Sequence, residues 1–177
     1  MQMPIYGPQL TFRKPKVSDL PRLFEIYSDS RTQVFAPAGP LATLTQAESL
    51  LGQWLTHWGQ QGYGWWSIAN KAEPERVIGF GGIAYDDYLG EPRLNIGYCF
   101  AVEAWGKGYA TELGEVALRC AFGTPGINRV WAVVRPDHTA SIRVLEKIGM
   151  QRCGVLANVP GQPASLVFEI SRPTPPG

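Results

Sequence analysis

The sequence predicts a mixed α/β fold in which helices cover both faces of one sheet. Three observations lead to this prediction. Apolar residues at helical spacing mark four helices, and short apolar runs mark about seven strands. These segments follow the order βααβββαβαββ, so an antiparallel meander precedes strand–helix units. Neither a linker nor a repeat interrupts residues 1–177, which favours a single domain, and residues 172–177 predict a flexible tail.

The N-terminal part of the chain predicts one strand and two helices. A strand at residues 10–13 precedes a helix that carries Leu20, Leu23 and Tyr27 on one side. The segment FAPAGPLAT then predicts a loop. In the second helix, Thr45 and Glu48 have the spacing of a capping box, and Gly62 is the expected stop.

Three strands are predicted in the middle of the chain. YGWWSIAN and RVIGFGGIAY flank the polar KAEPE and indicate a hairpin. PRLNIGYCFAV follows with an alternation of period two. The small residues on one side of this third strand indicate a close neighbour there. One face carries Leu94, Ile96, Tyr98, Phe100 and Val102, and the other carries Asn95, Gly97, Cys99 and Ala101.

The C-terminal part predicts two helices and three strands. AWGKGYATE opens a helix that runs to about Phe122, and RVWAVV is the next strand. TASIRVLEKIGM predicts a helix with Thr139 as a possible cap and Gly149 at its end. QRCGVL and ASLVFEI are the expected final strands.

Composition excludes several classes of function. The formal net charge of +1 does not indicate a nucleic-acid partner, and no apolar run reaches the roughly 18 residues of a membrane span. The 3 cysteines lack CxxC spacing and the 2 histidines are far apart, so no metal site is expected. Reduced thiols and the absence of a signal-peptide pattern favour a cytoplasmic protein.

AWGKGYATE places Gly106, Gly108 and Ala110 at every second position of a helix start. Unpaired N–H groups and small side chains at such a start can hold a phosphate, although a tight, closely packed turn explains the glycines as well. The P-loop pattern GxxxxGK[ST] is absent, and Thr111 stands where a dinucleotide fingerprint needs its third glycine.

Two sequence blocks carry a family resemblance. IGYCFAVEAWGKGYATE and VVRPDHTASIRVLEKIGM resemble the signature blocks of the GNAT N-acetyltransferases, and in particular of their RimJ/RimL-type, protein-alanine N-acetyltransferase-like branch. The resemblance extends over nearly the whole chain. It implies the GNAT acyl-CoA N-acyltransferase fold, acetyl-CoA as cosubstrate, and direct acetyl transfer in a ternary complex to a primary amine, either a protein N-terminus or a small molecule.

Two alternatives remain, a non-catalytic acyl-CoA-binding or regulatory protein and a transferase that uses another acyl-CoA. Neither a nucleic acid, a membrane nor a metal ion is an expected partner, and a monomer and a homodimer are both compatible with the sequence.

The resemblance also implies roles for individual residues. Backbone groups of the third central strand would bind the pantetheine arm, and amides of the glycine turn would bind the pyrophosphate. Ser141 would be the catalytic proton donor to the thiolate. The implied cofactor-binding residues are Tyr98, Phe100, Val102, Gly106, Lys107, Gly108, Tyr109, Ala110, His138 and Ser141.

Three positions depart from the family pattern. Asn95 replaces a common glutamate base, Leu145 a common tyrosine acid, and His138 the usual asparagine. His138 would therefore either weaken the cofactor contact or supply a titrating group. The acceptor amine is expected to enter past the first two helices and the loop of Asp86 and Asp87. The candidate acceptor contacts are Asp86, Asp87, Asn95, Trp65 and Trp66.

Overall fold

The computed structural model describes residues 3–174, and its strands form one eight-stranded mixed sheet. This confirms the predicted mixed α/β class and element order, with one strand more than expected. The additional strand is the short β1, which pairs antiparallel with β2. The strands are β1 Ile5–Tyr6, β2 Leu10–Arg13, β3 Trp65–Asn70, β4 Val77–Tyr88, β5 Glu91–Phe100, β6 Arg129–Val134, β7 Gln151–Leu156 and β8 Ser165–Ser171. Their spatial order is β1-β2-β3-β4-β5-β6-β8-β7.

Four helices cover the two faces of the sheet, as predicted. The helices are α1 Leu20–Tyr27, α2 Leu44–Gln61, α3 Tyr109–Phe122 and α4 Thr139–Lys147. On one face, Leu23 of α1 and Leu51 of α2 belong to the same buried cluster as Phe80 of β4. On the other face, Leu113 of α3 and Leu145 of α4 share a cluster with Ile96 of β5. The sheet thus packs against two apolar clusters, and Trp58 of α2 belongs to the cluster that contains α3 and α4.

The capping box of α2 lies two residues before the predicted one. Thr43, not Thr45, is the N-cap, and its side chain accepts the N–H of Gln46 while Gln46 accepts the N–H of Thr43. Both pairs have the required spacing, and the extended backbone of Thr43 selects the first. The predicted stop is confirmed, since Gly62 ends the helix at φ 76°.

β5 and β6 form a fork in the centre of the sheet. They run parallel and share the single register pair Asn95 and Trp131. Beyond this pair, on the way to Phe100, the structure assigns β5 no partner on its β6 side within residues 3–174. β4 remains paired with β5 along the opposite edge, from Gly79–Phe100 to Tyr88–Glu91. The sheet thus has an open edge inside it, between its two halves.

The chain after β8 begins with an anchored residue rather than with the expected tail. The Arg172 guanidinium donates to the carbonyls of Thr124 (3.0 Å) and Ile127 (2.6 Å), and the Arg172 N–H donates to the carbonyl of Asn128 at 2.7 Å. Residues 175–177 lie outside the described part of the chain. Across residues 3–174, none of the helices combines the length and the apolar character that crossing a membrane requires.

Candidate active site

The open edge of β5 presents backbone groups of alternate residues to the fork. Ala101 donates its N–H to the carbonyl of Ile78 across the β4–β5 ladder at 2.9 Å. In an antiparallel ladder, hydrogen-bonded pairs alternate with pairs whose backbone groups point outward. The register therefore directs the N–H and C=O of Tyr98 and Phe100 away from β4 and toward β6. This is the geometry in which an extended ligand can add to a sheet as a strand.

Trp105 limits this open edge at its far end. Its indole N–H donates to the carbonyl of Phe100 at 3.0 Å. Val102 does not continue β5, contrary to its predicted place on the strand, because it begins the 3-10 turn Val102–Ala104. The side chain of Phe100 is buried in the α3 core, so only its backbone faces the fork. Tyr98 is therefore the residue whose backbone remains fully available there.

The glycine turn leads from the fork to the N-terminus of α3. Gly106 and Gly108 have φ angles of 75° and 78°, and Gly108 is the N-cap. A Cβ placed on either glycine would have nothing within 4 Å. The left-handed backbone, rather than close packing, therefore accounts for both glycines. Lys107 between them is exposed, and the first amides of α3 follow this open space.

Tyr109 and Ala110 begin α3, and their side chains face the protein. The Tyr109 ring is buried, and its hydroxyl accepts a hydrogen bond from Asn70 Nδ2 at 2.9 Å. Ala110 packs against the same core. Both residues can therefore serve an anion only through their backbone. The bond from Tyr109 to the end of β3 also fixes the direction in which α3 starts.

Ser141 and Tyr98 meet at the fork. Ser141 lies in the first turn of α4, and its Oγ is 3.0 Å from the Tyr98 hydroxyl. Burial raises the pKa of Tyr98, and the bond to Ser141 offsets part of that rise. The phenol therefore stays protonated and can donate to Ser141. Leu145, one turn further along α4, is 3% exposed and belongs to the core.

His138 precedes α4 and stacks on Phe35. The two ring centroids are 4.0 Å apart and the planes differ by 12°. His138 is the N-cap residue of α4, in place of the expected Thr139, but its side chain makes no capping hydrogen bond. Burial lowers the pKa of His138, although the neighbouring Asp137 acts in the opposite direction. The stack joins the loop that leads to α2 to the start of α4.

Trp65 is the close neighbour that the narrow face of β5 predicts. A Cβ on Gly97 would lie 2.7 Å from Cζ2 of the Trp65 ring, so the ring lies directly on the strand. Asn95, on the same face, accepts a short hydrogen bond from the Tyr88 hydroxyl and donates to the carbonyl of Ile96 at 3.1 Å. Burial, followed by the charge of Asp86, raises the pKa of Tyr88. Asn95 is thus held by its neighbours.

Three proposed acceptor contacts do not reach the fork. Trp66 is 0% exposed and packs on Phe12 with ring centroids 5.2 Å apart, so it is a core residue. Asp86 and Asp87 are exposed, but they belong to β4 rather than to a loop. They pair with residues at the start of β5, and the fork opens toward the other end of that strand. Of the two tryptophans, Trp65 packs against the cluster of α1 and α2.

Sequence reasoning missed the side-chain partners of this site. It assigned Tyr98 a backbone role only, and it did not single out Tyr88 or the Phe35 ring. Phe35 and His138 are remote in sequence and come from two different loops. The alternation of β5 nevertheless contained a signal for this contact. It places the Tyr98 side chain on the same face of the strand as Ile96 and Phe100, and this face packs against α3 and α4.

The sequence comparisons agree with this geometry. Residues 9–151 match the family model described as acetyltransferase (GNAT) domain. The chain belongs to the GNAT acetyltransferase family. It is 30% identical over 153 residues to the uncharacterized N-acetyltransferase p20 of Bacillus licheniformis, an alignment that covers 86% of this chain and 84% of the relative.

Solved structures show the same fold. A GNAT-family acetyltransferase from Bacillus anthracis superposes with a TM-score of 0.78 at 26% identity and covers 96% of this chain and 99% of its own. Spermidine N-acetyltransferase from Vibrio cholerae, solved with CoA and spermine, has a TM-score of 0.75 at 18% identity and covers 93% and 96%. At that identity the second likeness concerns the fold alone.

Proposed function

We propose that this GNAT protein is an acetyl-CoA-dependent N-acetyltransferase that acetylates a primary amine by direct attack in a ternary complex. The observation that carries the proposal is the open edge of β5, which lies between the glycine turn of α3 and the Tyr98–Ser141 pair. An extended thioester with an anionic end fits these three features in that order.

The fork offers acetyl-CoA complementary groups along its length. The N–H and C=O of Tyr98 suit the amides of the pantetheine arm, which would pair as in an added strand. The pyrophosphate would meet the amides at the start of α3, where the helix dipole favours negative charge. The open space at Gly106 and Gly108 leaves room for it.

Proton donors at the thioester end support chemistry there. If the Tyr98 hydroxyl donates to Ser141 Oγ, the Ser141 proton is free to point at the sulfur. The departing thiolate is then stabilised by this hydroxyl and by the N-terminus of α4. A backbone N–H of β5 would stabilise the oxyanion.

Direct attack suits the cysteines of this chain better than an acyl-cysteine intermediate. Cys99 lies on β5 itself, but burial raises its pKa to about 11. Its Sγ also accepts a hydrogen bond from Gln33 Nε2 at 3.4 Å. Because the thiolate is the nucleophilic form, Cys99 is a poor nucleophile near neutral pH.

The acceptor amine enters from the face of α1 and α2, beside Trp65 and Asn95. Resemblance to the RimJ/RimL-type branch supports a protein N-terminus as acceptor. The fold shared with spermidine N-acetyltransferase supports a small amine as the alternative acceptor. The reduced cysteine thiols support a cytoplasmic location. No metal ion is part of the proposal, and within residues 3–174 no cluster of metal-ligating side chains occurs.

Thiol release from acetyl-CoA tests the proposal. The purified protein would be assayed with N-terminal Ala and Ser tripeptides, spermidine and simple amino acids, while calorimetry measures acetyl-CoA binding. Acceptor-dependent release above background supports an acetyltransferase. Tight acetyl-CoA binding without release for any acceptor would identify a binding or regulatory protein, and faster release from succinyl-CoA would identify another acyl donor.

A further inference from the structure

The two histidines of the chain have opposite environments. His57 Nε2 accepts the N–H of Tyr85 at 3.0 Å, and His57 Nδ1 lies 3.0 Å from the carbonyl of Tyr63. Both nitrogens of His57 are therefore committed to the fold. The His138 ring instead stacks through its face on Phe35, and neither of its nitrogens has a hydrogen-bond partner among residues 3–174. A base needs such a free nitrogen.

His138 also lies where a base is required. It is the N-cap residue of α4 and precedes Ser141, in the first turn of that helix, by three residues. Ser141 is bonded to Tyr98 at the fork, and the partner ring Phe35 belongs to the loop that leads into α2 on the acceptor side. His138 therefore stands between the thioester end and the acceptor cleft.

Other groups near the fork do not fit this task. Asn95 cannot accept a proton at neutral pH, and Tyr88 and Ile96 occupy its amide. Burial keeps Cys99 protonated, with a pKa of about 11. Asp86 and Asp87 are paired with the start of β5, away from the open edge.

We infer that His138 is the general base that removes the proton from the attacking amine. The inference rests on the proposed function and assigns the role of base, which the amide of Asn95 cannot fill. The amine nitrogen forms the N–C bond to the thioester carbon, and its surplus proton passes to the free imidazole nitrogen. The C–S bond breaks, the thiolate leaves against Ser141 and takes a proton from solvent, and His138 returns its proton to solvent.

The surroundings keep His138 neutral at physiological pH. Burial against Phe35 lowers the pKa of His138, and Asp137, the charged neighbour next to it in the chain, raises it less. The loop of residues 34–42 contains no ionisable side chain. Arg135, which precedes His138 in the chain, donates a hydrogen bond to Ser165 Oγ at 2.9 Å. On α4, the polar side chain nearest in sequence on the first turn is the hydroxyl of Ser141. Arg143 is exposed further along α4.

Imidazole NMR provides a test that does not depend on turnover. His138→Asn assigns the two histidine signals, and wild-type His138 is expected to titrate below pH 6.5. Phe35→Leu removes the stacked ring and keeps the histidine, so its pKa should rise toward the ordinary value because solvent reaches the ring. A His138 signal that does not titrate between pH 5 and 8, or that Phe35→Leu leaves unmoved, would overturn the assignment.

The pH dependence of turnover tests the role itself. With the best acceptor from the thiol-release panel, wild-type kcat should rise with pH through the His138 pKa. His138→Asn, which removes the titrating nitrogen, should lose this rise and roughly 100-fold in kcat. Phe35→Leu should retain the rise but shift it upward together with the NMR pKa. These shifts would not accompany a purely structural role.

The outcomes separate the two proposals. A wild-type protein that releases no thiol with any acceptor refutes the proposed function. Wild-type turnover with an unchanged pH profile in His138→Asn refutes only the role of His138. His138→Gln repeats the test with a side chain of different length, and melting temperatures confirm that each variant is folded.

Discussion

The Tyr98 hydroxyl lies 3.0 Å from Ser141 Oγ and thereby joins β5 to the first turn of α4. The bond crosses the point at which the central sheet opens. Either hydroxyl can donate in this pair, and when Tyr98 donates, the Ser141 proton is left for a second partner. Leu145 of α4 is buried in the core, and the phenol that meets Ser141 comes from β5.

Removal of the Ser141 hydroxyl should affect turnover more than binding. Ser141→Ala is expected to lower kcat by about 100-fold, since the departing thiolate loses its hydrogen-bond donor. The Kd for acetyl-CoA should change little, because the backbone of β5 and of the glycine turn remains. Steady-state thiol release and calorimetry measure the two quantities. A parallel loss of affinity would assign Ser141 to binding.

Tyr98→Phe should give a smaller version of the same effect. The ring remains in the core, but Ser141 loses the partner that orients its proton. We expect a fall in kcat of about tenfold, which corresponds to one ordinary hydrogen bond. In the background of Ser141→Ala, the additional change should be much smaller. Independent effects of the two variants would show that the bond does not serve the reaction.

The glycine turn should tolerate changes at Lys107 and not at Gly108. Gly108→Ala forces φ near 78° on an L-residue and should cost about 1–2 kcal/mol of stability. Gly108→Val adds an isopropyl group to the space in front of the α3 amides and should abolish acetyl-CoA binding. Lys107→Ala removes an exposed charge and should weaken binding by less than about 1 kcal/mol. Equal losses of affinity in Lys107→Ala and Gly108→Val would contradict backbone recognition.

The contact of Gly97 with Trp65 should appear in a double-mutant cycle. Gly97→Ala drives a methyl into Cζ2 of Trp65 and is expected to destabilise the protein by about 1–3 kcal/mol. Trp65→Phe removes the part of the ring that is struck, so the second substitution should relieve much of the first. Urea unfolding of the four proteins measures the coupling. Additive effects would mean that the strand and the ring move apart freely.

Asp19 should make the folding stability of the protein depend on pH in the acidic range. The carboxylate accepts hydrogen bonds from Arg13, from the N–H of Lys16 at 2.9 Å and from Ser67 Oγ at 2.7 Å. Burial alone raises the pKa of Asp19, but these bonds outweigh burial and hold the pKa below its ordinary value. The stabilisation is therefore complete above the unfolded pKa of about 4 and is lost as the pH falls through the native pKa.

Asp19→Asn tests this assignment. At pH 7 it should lower the free energy of unfolding by about 1–3 kcal/mol, since charge-assisted bonds are weakened. The difference from wild type should shrink as the pH falls below about 4, because the unfolded chain then binds a proton that native Asp19, with its lowered pKa, binds only at lower pH. Chemical unfolding between pH 3 and 7 gives both curves. A difference that does not depend on pH would show that the charge of Asp19 is unimportant.

Local patterns were sufficient to predict most of the elements and the glycine turn. The period-two alternation of β5 indicated the close neighbour, which proved to be Trp65. β1 was missed because its two residues, Ile5 and Tyr6, are too few to show a period. The cap of α2 was misplaced because Thr43 and Thr45 both have a suitable partner three residues later, and only the backbone distinguishes them.

The side-chain contacts of the site were beyond such patterns because they join remote segments. Tyr98 and Ser141 are 43 positions apart, and their contact depends on how α4 crosses the end of β5. Consecutive strand residues such as Trp65 and Trp66 point to opposite faces of a sheet, but the sequence does not reveal which face is closed. Packing decided it, since Trp66 is enclosed beside Phe12. Motif resemblance supplied the roles, and tertiary structure supplied the partners.

The open edge of β5 also has a consequence for aggregation. Unpaired backbone groups in an exposed strand can recruit a strand from another chain, which is a common route to aggregation. Here the edge lies inside the sheet, where Tyr98 is flanked by both halves of the fold. A pantetheine arm in the fork would cap the same groups. The cosubstrate would then protect the chain against self-association, quite apart from the acetyl group that it carries.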